Sequence, residues 1–389
     1  MSSDKQIKFL EEQQVKQPRQ AARYHTFADL YQRKLWHQLT LALQEAIADP
    51  DFTRQQHLIP LFENFISSFA HRLNLLSLAK IGTTVARQYS KPSESVSFVE
   101  RLITQIKEAK LPRTEQPLLY LHMEIGYHKL QEGQLPEAKK CVESGREQLE
   151  AMQDVDPLVS AHVHYVSSLY WKRQQDFAEF YKSSLMYLAF VPVESLAMDL
   201  KKALGVDIAL AALLGANVYG FGELLLHPIA ETLKTSEFQW LFDLLVCFNK
   251  GDLHQYEGLC VKHADKLNAQ PALVENERKL REKITILCLL ELIARLPAES
   301  RSVSLDSIAK STKLSQDGVE FLLMKTLSLH LIEGSIDQVG GTVQVSWVQP
   351  RVLTHPQMED LKGRLDSWIT KVNSAALSLE EESIGLAES

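Results

Sequence analysis

The chain is poor in the features that announce most chemistries. Its 389 residues include only four cysteines, Cys141, Cys247, Cys260 and Cys288. They are widely spaced, form no C-x-x-C pair and fall in helical patterns, so they read as reduced, packed thiols rather than a disulfide or zinc framework. No Asn-x-Ser/Thr acceptor occurs. The longest apolar stretch, 208–216, is far too short to cross a bilayer, so no membrane association is expected. The first twenty residues carry Lys5, Lys8, Glu11, Glu12, Lys16 and Arg19 without an apolar segment, which argues against a secretory signal. A basic excess is also missing. The net charge of −7 is wrong for a surface that blankets a polyanion. Together these absences predict a protein of the cytoplasm and nucleus.

Catalytic signatures are missing as well. There is no G-x-x-x-x-G-K-[ST] cradle, no G-x-S-x-G elbow and no H-E-x-x-H. Gly220-Phe221-Gly222 lies between helical patterns, without the strand that a dinucleotide fingerprint needs. His162 and His164 flank one residue, which puts them on different faces of a helix. Cys247, Cys260 and His263 lack a fourth ligand, and Cys141 has no base in view. The sequence therefore predicts no enzyme, no cofactor and no metal.

What remains is helix after helix. Leu58, Leu61, Phe62, Phe65, Ile66, Phe69 and Leu73 form one apolar stripe at helical spacing, and Val96, Val99, Ile103 and Ile106 form the next. Asp156-Pro157 has the grammar of a helix start. Pro112, Pro117, Pro136, Pro192 and Pro228 fall between stripes or at their starts. Many short helices with short connections predict stacked hairpins. Residues 118–152 look like a tetratricopeptide unit, with small residues Gly126, Gly133, Ala138 and Gly145 at the spacings where paired helices approach closely.

The texture changes near Pro297. A short helix opens at Ser304-Leu305-Asp306, Leu314-Ser315 makes a turn, and 319–330 forms a second helix with Val319, Leu322, Leu323 and Leu327 inward. Two strands follow, one alternating Ile332, Gly334 and Ile336, the other Val343, Val345 and Trp347, with Gly340-Gly341 between them. That order is a winged helix, with Pro350 ending the wing. From 301 to 350 there are four basic residues against five acidic ones, and Asp317 and Glu320 open the helix that would read DNA. Such a surface repels phosphate, so no nucleic-acid partner is expected. Five wing residues, Ile332, Ile336, Val343, Val345 and Trp347, are predicted to meet protein. In the final helix, Met358, Leu361, Leu365, Trp368, Val372, Ala375 and Leu379 are spaced alternately three and four apart, which is a heptad seam. The first five of these are predicted to meet partner helices. Beyond them, Glu380, Glu381 and Glu382 read as a solvated, disordered tail.

A helical arm followed by a winged helix resembles the PCI domain, shared by the proteasome lid, the signalosome and a translation initiation factor. The stretch Val218-Tyr219-Gly220-Phe221-Gly222-Glu223-Leu224-Leu225-Leu226-His227-Pro228-Ile229 and the residues 315–351 are similar to lid members of that family. The resemblance implies a mainly α fold: a polar segment over 1–23, a repeat arm over 24–215, and a PCI domain over 216–350. That domain divides into a helical part, 216–300, and a winged helix, 301–350. A C-terminal bundle helix over 351–379 and an acidic tail over 380–389 complete it. It further implies a scaffold in a hetero-oligomer, in which PCI subunits associate through winged helices and gather their last helices in a bundle. Implied partners are the other PCI subunits of the lid, its deubiquitinase module and a neighbouring ubiquitin-receptor subunit. A sister PCI complex is the alternative assembly.

Overall fold

A computed structural model of the chain describes residues 3–53, 57–109, 112–296, 301–352 and 355–387. The contacts divide it into two units, 1–195 and 196–389.

The first unit is a series of helices: α1 (Ser3–Lys16), α2 (Ala21–Gln32), α3 (Trp36–Ala48), α4 (Pro50–Thr53), α5 (Leu58–Asn64), α6 (Leu75–Ala86), α7 (Pro92–Glu108), α8 (Glu115–Glu132), α9 (Leu135–Ala151), α10 (Pro157–Gln174) and α11 (Phe177–Phe190). Sequence neighbours pack on one another, and α8 also meets α6 and α10, which is the stacking expected of helical hairpins. The tetratricopeptide-like unit is α8 and α9. A Cβ on Gly145 would stand 2.3 Å from Met123 Sδ, and one on Gly126 would stand 3.0 Å from Cys141 Cβ, so a side chain at either position would displace a neighbour where the two helices approach. Gly133 ends α8 in the left-handed region, at φ 81°, where a side chain is disfavoured.

Two expectations for this unit change. All seven residues of the 58–73 stripe are buried, but the stripe is broken into α5 and a 3₁₀ turn over Ile66–Arg72, with Phe65 at the joint and Leu73 just past the end. The backbone turns out of α-helical geometry at Phe65 (φ −118°, ψ −64°), and the hydroxyls of Ser67 and Ser68 donate to the carbonyls of Glu63 and Phe65 there. The polar segment 1–23 is not outside the arm. It supplies α1, whose Leu10 is fully buried.

The second unit holds α12 (Met198–Leu214), α13 (Gly222–Leu226), α14 (Ile229–Lys234), α15 (Gln239–Lys250), α16 (Leu253–Lys262), α17 (Ala264–Asn268), α18 (Pro271–Glu275) and α19 (Glu277–Ala294). Then come β1 (Ser302–Ser304), α20 (Leu305–Thr312), α21 (Gln316–Ser328), β2 (Ile332–Asp337), β3 (Thr342–Val348) and α22 (His355–Ala387). The sequence reading put α12 in the arm, whereas it packs on α14, α15, α18 and α19. One side chain explains part of that attachment. Buried Lys283 of α19 donates from Nζ to the carbonyls of Ala212 (2.7 Å), Leu213 (3.0 Å) and Gly215 (3.0 Å), so it satisfies the open C-terminal end of α12. Burial pushes its ammonium down to about 7.

The winged helix has three strands in the order β1-β3-β2, all antiparallel. β1 escapes a reading by alternation because it is three residues long. Ser304 and Ser315 cap α20 and α21 by accepting from the amides of Ser307 and Gly318. Val303, Ile308, Val319, Leu322, Leu323, Ile332, Val343 and Val345 close the core. The tail 380–389 departs from its expected disorder as far as it is described, because α22 runs on to Ala387. Leu379-Glu380-Glu381-Glu382 are good helix formers and no proline stops them.

Candidate protein-interaction interface

The wing splits the five residues chosen for it. Ile332, Val343 and Val345 are at most 4 % exposed. They hold the winged helix together and are not free to meet another protein. Ile336 is half-buried. Only Trp347, 39 % exposed, presents a large apolar surface. Its departure from the inward face of Val343 and Val345 has a local cause. Glu333 pairs with Trp347 and Gly334 with Val345, so Ser346 is an extra residue, a bulge that turns the next side chain outward. The far edge of β2 has no strand beside it among the described residues, and Glu333, Gly334 and Ser335 there are exposed. Such an edge offers unpaired backbone donors and acceptors.

Two surface residues went unread in the sequence. Phe321 (62 % exposed) and Met324 (56 % exposed) stand on the outer face of α21. Attention to the inward stripe of Val319, Leu322 and Leu323 hid them, although apolar residues at i and i+3 on the opposite face were visible.

The five positions on the last helix behave alike. Met358, Leu361, Leu365, Trp368 and Val372 are all exposed, Trp368 by 64 %. Every side chain from 358 to 377 is exposed. At about 100° per residue these positions fall on one face, and Ile369, 51 % exposed, widens it beyond the expected seam. An arc of that width suits contact with more than one helix. Beside this face runs a polar flank with the Arg364–Asp360 ion pair, 2.8 Å apart.

Half of the basic charge in the winged helix is committed to ion pairs. Lys313 pairs with Glu257 at 2.7 Å, and Lys325 pairs with Glu282. Two of the four cations between 301 and 350 are thus occupied by carboxylates.

The residues weighed for chemistry do not assemble. His162 lies tilted against Tyr120 with ring centres 4.3 Å apart, while His164 turns away and stacks on Phe190. Burial raises the Cys141, Cys260 and Cys288 thiols and pushes Cys247 up to about 12, the reverse of what a nucleophile needs. Among the described residues no group of three His, Cys, Asp or Glu side chains is placed to hold a metal. One buried polar cluster was missed. Glu124 of α8 is wholly buried and receives a bidentate pair from Arg87, at 2.7 and 2.9 Å. His162 Nε2 lies 3.1 Å away and His128 Nε2 3.5 Å away. Burial would raise this carboxyl, but His162 and Arg87 outweigh it and hold it at about 2. The cluster joins α6, α8 and α10 and opens on no cavity that would admit a substrate among those described.

Comparison with known proteins matches both halves of the chain. Residues 23–245 match the family model of PSD13 N-terminal repeats, and residues 260–347 match the PCI domain. The chain is similar to 26S proteasome non-ATPase regulatory subunit 13 homolog B of Arabidopsis thaliana, at 49 % identity over 97 % of each chain. It is 36 % identical to 26S proteasome non-ATPase regulatory subunit 13 of Dictyostelium discoideum, over 99 % of this chain and all of that one. It is 32 % identical to 26S proteasome regulatory subunit RPN9 of Saccharomyces cerevisiae, over 92 % of each.

Proposed function

The chain belongs to the family of 26S proteasome non-ATPase regulatory subunit 13, and from that membership we propose that it is a non-catalytic structural subunit of the regulatory-particle lid. It works by assembly and supports ubiquitin-dependent degradation without turning over a substrate. Its winged helix contacts neighbouring PCI subunits through the β2 edge and Trp347, and α22 enters a bundle of partner helices. The lid deubiquitinase module and a ubiquitin-receptor subunit are its further neighbours, in the cytoplasm and the nucleus. No described helix is long and apolar enough to cross a membrane.

One observation carries the reading: α22 presents Leu361, Leu365, Trp368, Ile369 and Val372 on one face, each about half exposed or more. An apolar face of that length is an association surface. Burying each such side chain against a partner contributes about 1.5–3 kcal/mol. The test is purification of the tagged chain from its own cells, with mass spectrometry of what accompanies it. The expected result is the set of proteasome regulatory subunits. Recovery of signalosome or initiation-factor subunits instead, or of the chain alone, overturns the proposal.

A further inference from the structure

The helix α19 opens Glu277-Arg278-Lys279-Leu280-Arg281. Three cations in its first turns sit where the helix dipole favours anions. Helix chemistry alone works against them, and all three are exposed. Neither Arg278 nor Lys279 forms an ion pair among the described residues. They line a groove of about 560 Å³ between α19 and the winged helix. Its floor is apolar, with Leu253 and Leu322 buried, and Leu314 and Phe321 stand exposed along the other wall.

The charge of the groove is the reverse of the chain's. The chain carries −7, whereas the lining has five basic residues against two acidic ones, a balance of +3. Both acidic members already have partners, Glu257 in Lys313 and Glu282 in Lys325. The surplus is therefore carried by Arg278 and Lys279, with Arg281, 3.9 Å from Glu257, sharing that carboxylate with Lys313, beside an aromatic ring that is 62 % exposed. Cations next to a large unsatisfied apolar group match a ligand that is acidic and apolar together. A nucleic acid would supply the negative charge and bases to stack on Phe321, but Asp317 and Glu320 on α21 would repel its phosphates.

We propose that this groove receives an acidic polypeptide segment with apolar anchor residues, contributed by another subunit of the assembly. The proposal rests on the scaffold reading above. The anchor covers Phe321 and Leu314, and its carboxylates meet Arg278, Lys279 and Arg281. Charge pairing of this kind sets register and partner choice.

The test places photo-reactive benzoylphenylalanine at position 321 of the tagged full chain, with Val339 at the wing tip as a control position. The particle is assembled in cells, irradiated and purified, and the cross-linked peptide is sequenced. The expected product is a single segment of net negative charge with apolar residues, formed at 321 and not at 339. The Arg278→Glu/Lys279→Glu/Arg281→Glu variant should lower its yield at least tenfold, and the milder R278Q/K279Q/R281Q should act in the same direction, with no drop in the thermal melt of either. A chain that joins no complex overturns the scaffold reading and this proposal together. A chain that joins its complex but gives no product at 321, a basic segment, a nucleic-acid adduct, or a yield indifferent to charge reversal overturns this proposal alone.

Discussion

Glu124 shows how much a single side chain can matter to an arm made of repeats. Its carboxyl sits at about 2 against an ordinary 4.5, a difference that corresponds to about 3 kcal/mol of stability at neutral pH. A depressed carboxyl stabilises above its unfolded value, and that stability is lost as pH falls from about 4.5 towards 2. Glu124→Gln is therefore expected to cost on the order of 3 kcal/mol in urea unfolding at pH 7. The gap from the unaltered protein should close towards pH 2. A gap of constant size at both pH values would show that charge is not its source. Lys283 gives a second case. Lys283→Met leaves three carbonyls at the end of α12 without a donor, so unfolding should show a loss of about 1–3 kcal/mol. An unchanged or raised stability would mean that water replaces the ammonium there. Neither residue was legible in the sequence, because the partners are remote: Arg87 is 37 positions from Glu124, and Ala212 is 71 from Lys283. Periodicity reads only a residue's own element.

At the scale of elements, legibility followed regularity. The helix pairs, the turn at Gly340-Gly341 and the two longer strands were readable because the apolar spacing repeats within each. The wing surface was not, because alternation marks the face that Ile332, Val343 and Val345 bury in the core, and Trp347 leaves that face only through the bulge at Ser346. That difference can be measured. Val345→Asp places a charge in the winged-helix core and should unfold this module, while Trp347→Asp should leave its melt nearly unchanged and weaken assembly. Equal losses of melting temperature would place Trp347 in the core after all. The final helix was legible as a seam, but a heptad template is narrower than the face it describes, and Ile369 fell outside it. Removal of residues from Pro356 onward should leave the thermal transition of the rest within roughly 2 °C while abolishing co-purification with the regulatory particle. Leu365→Asp with Trp368→Asp should do the same. A large drop in melting temperature would mean that α22 is held by its own domain.

On the scale of the whole molecule, the two units answer different demands. The first is closed upon itself through two apolar clusters, one around Phe27, Leu61, Val99 and Leu121 and one around Met123, Val142 and Val163. The second ends in a helix whose apolar face nothing among the described residues covers. For a cell this has a consequence of supply and demand. A copy made in excess of its partners displays the same bare row of Leu361, Leu365 and Trp368 that chaperones and proteases read as damage. Its lifetime should then be set by how many partner helices are on hand, so that overproduction shortens the half-life of the surplus and leaves assembled copies untouched. Pulse-chase labelling of the full chain beside one ending at residue 355 checks this: the truncated surplus, though it joins nothing, should outlive the intact one.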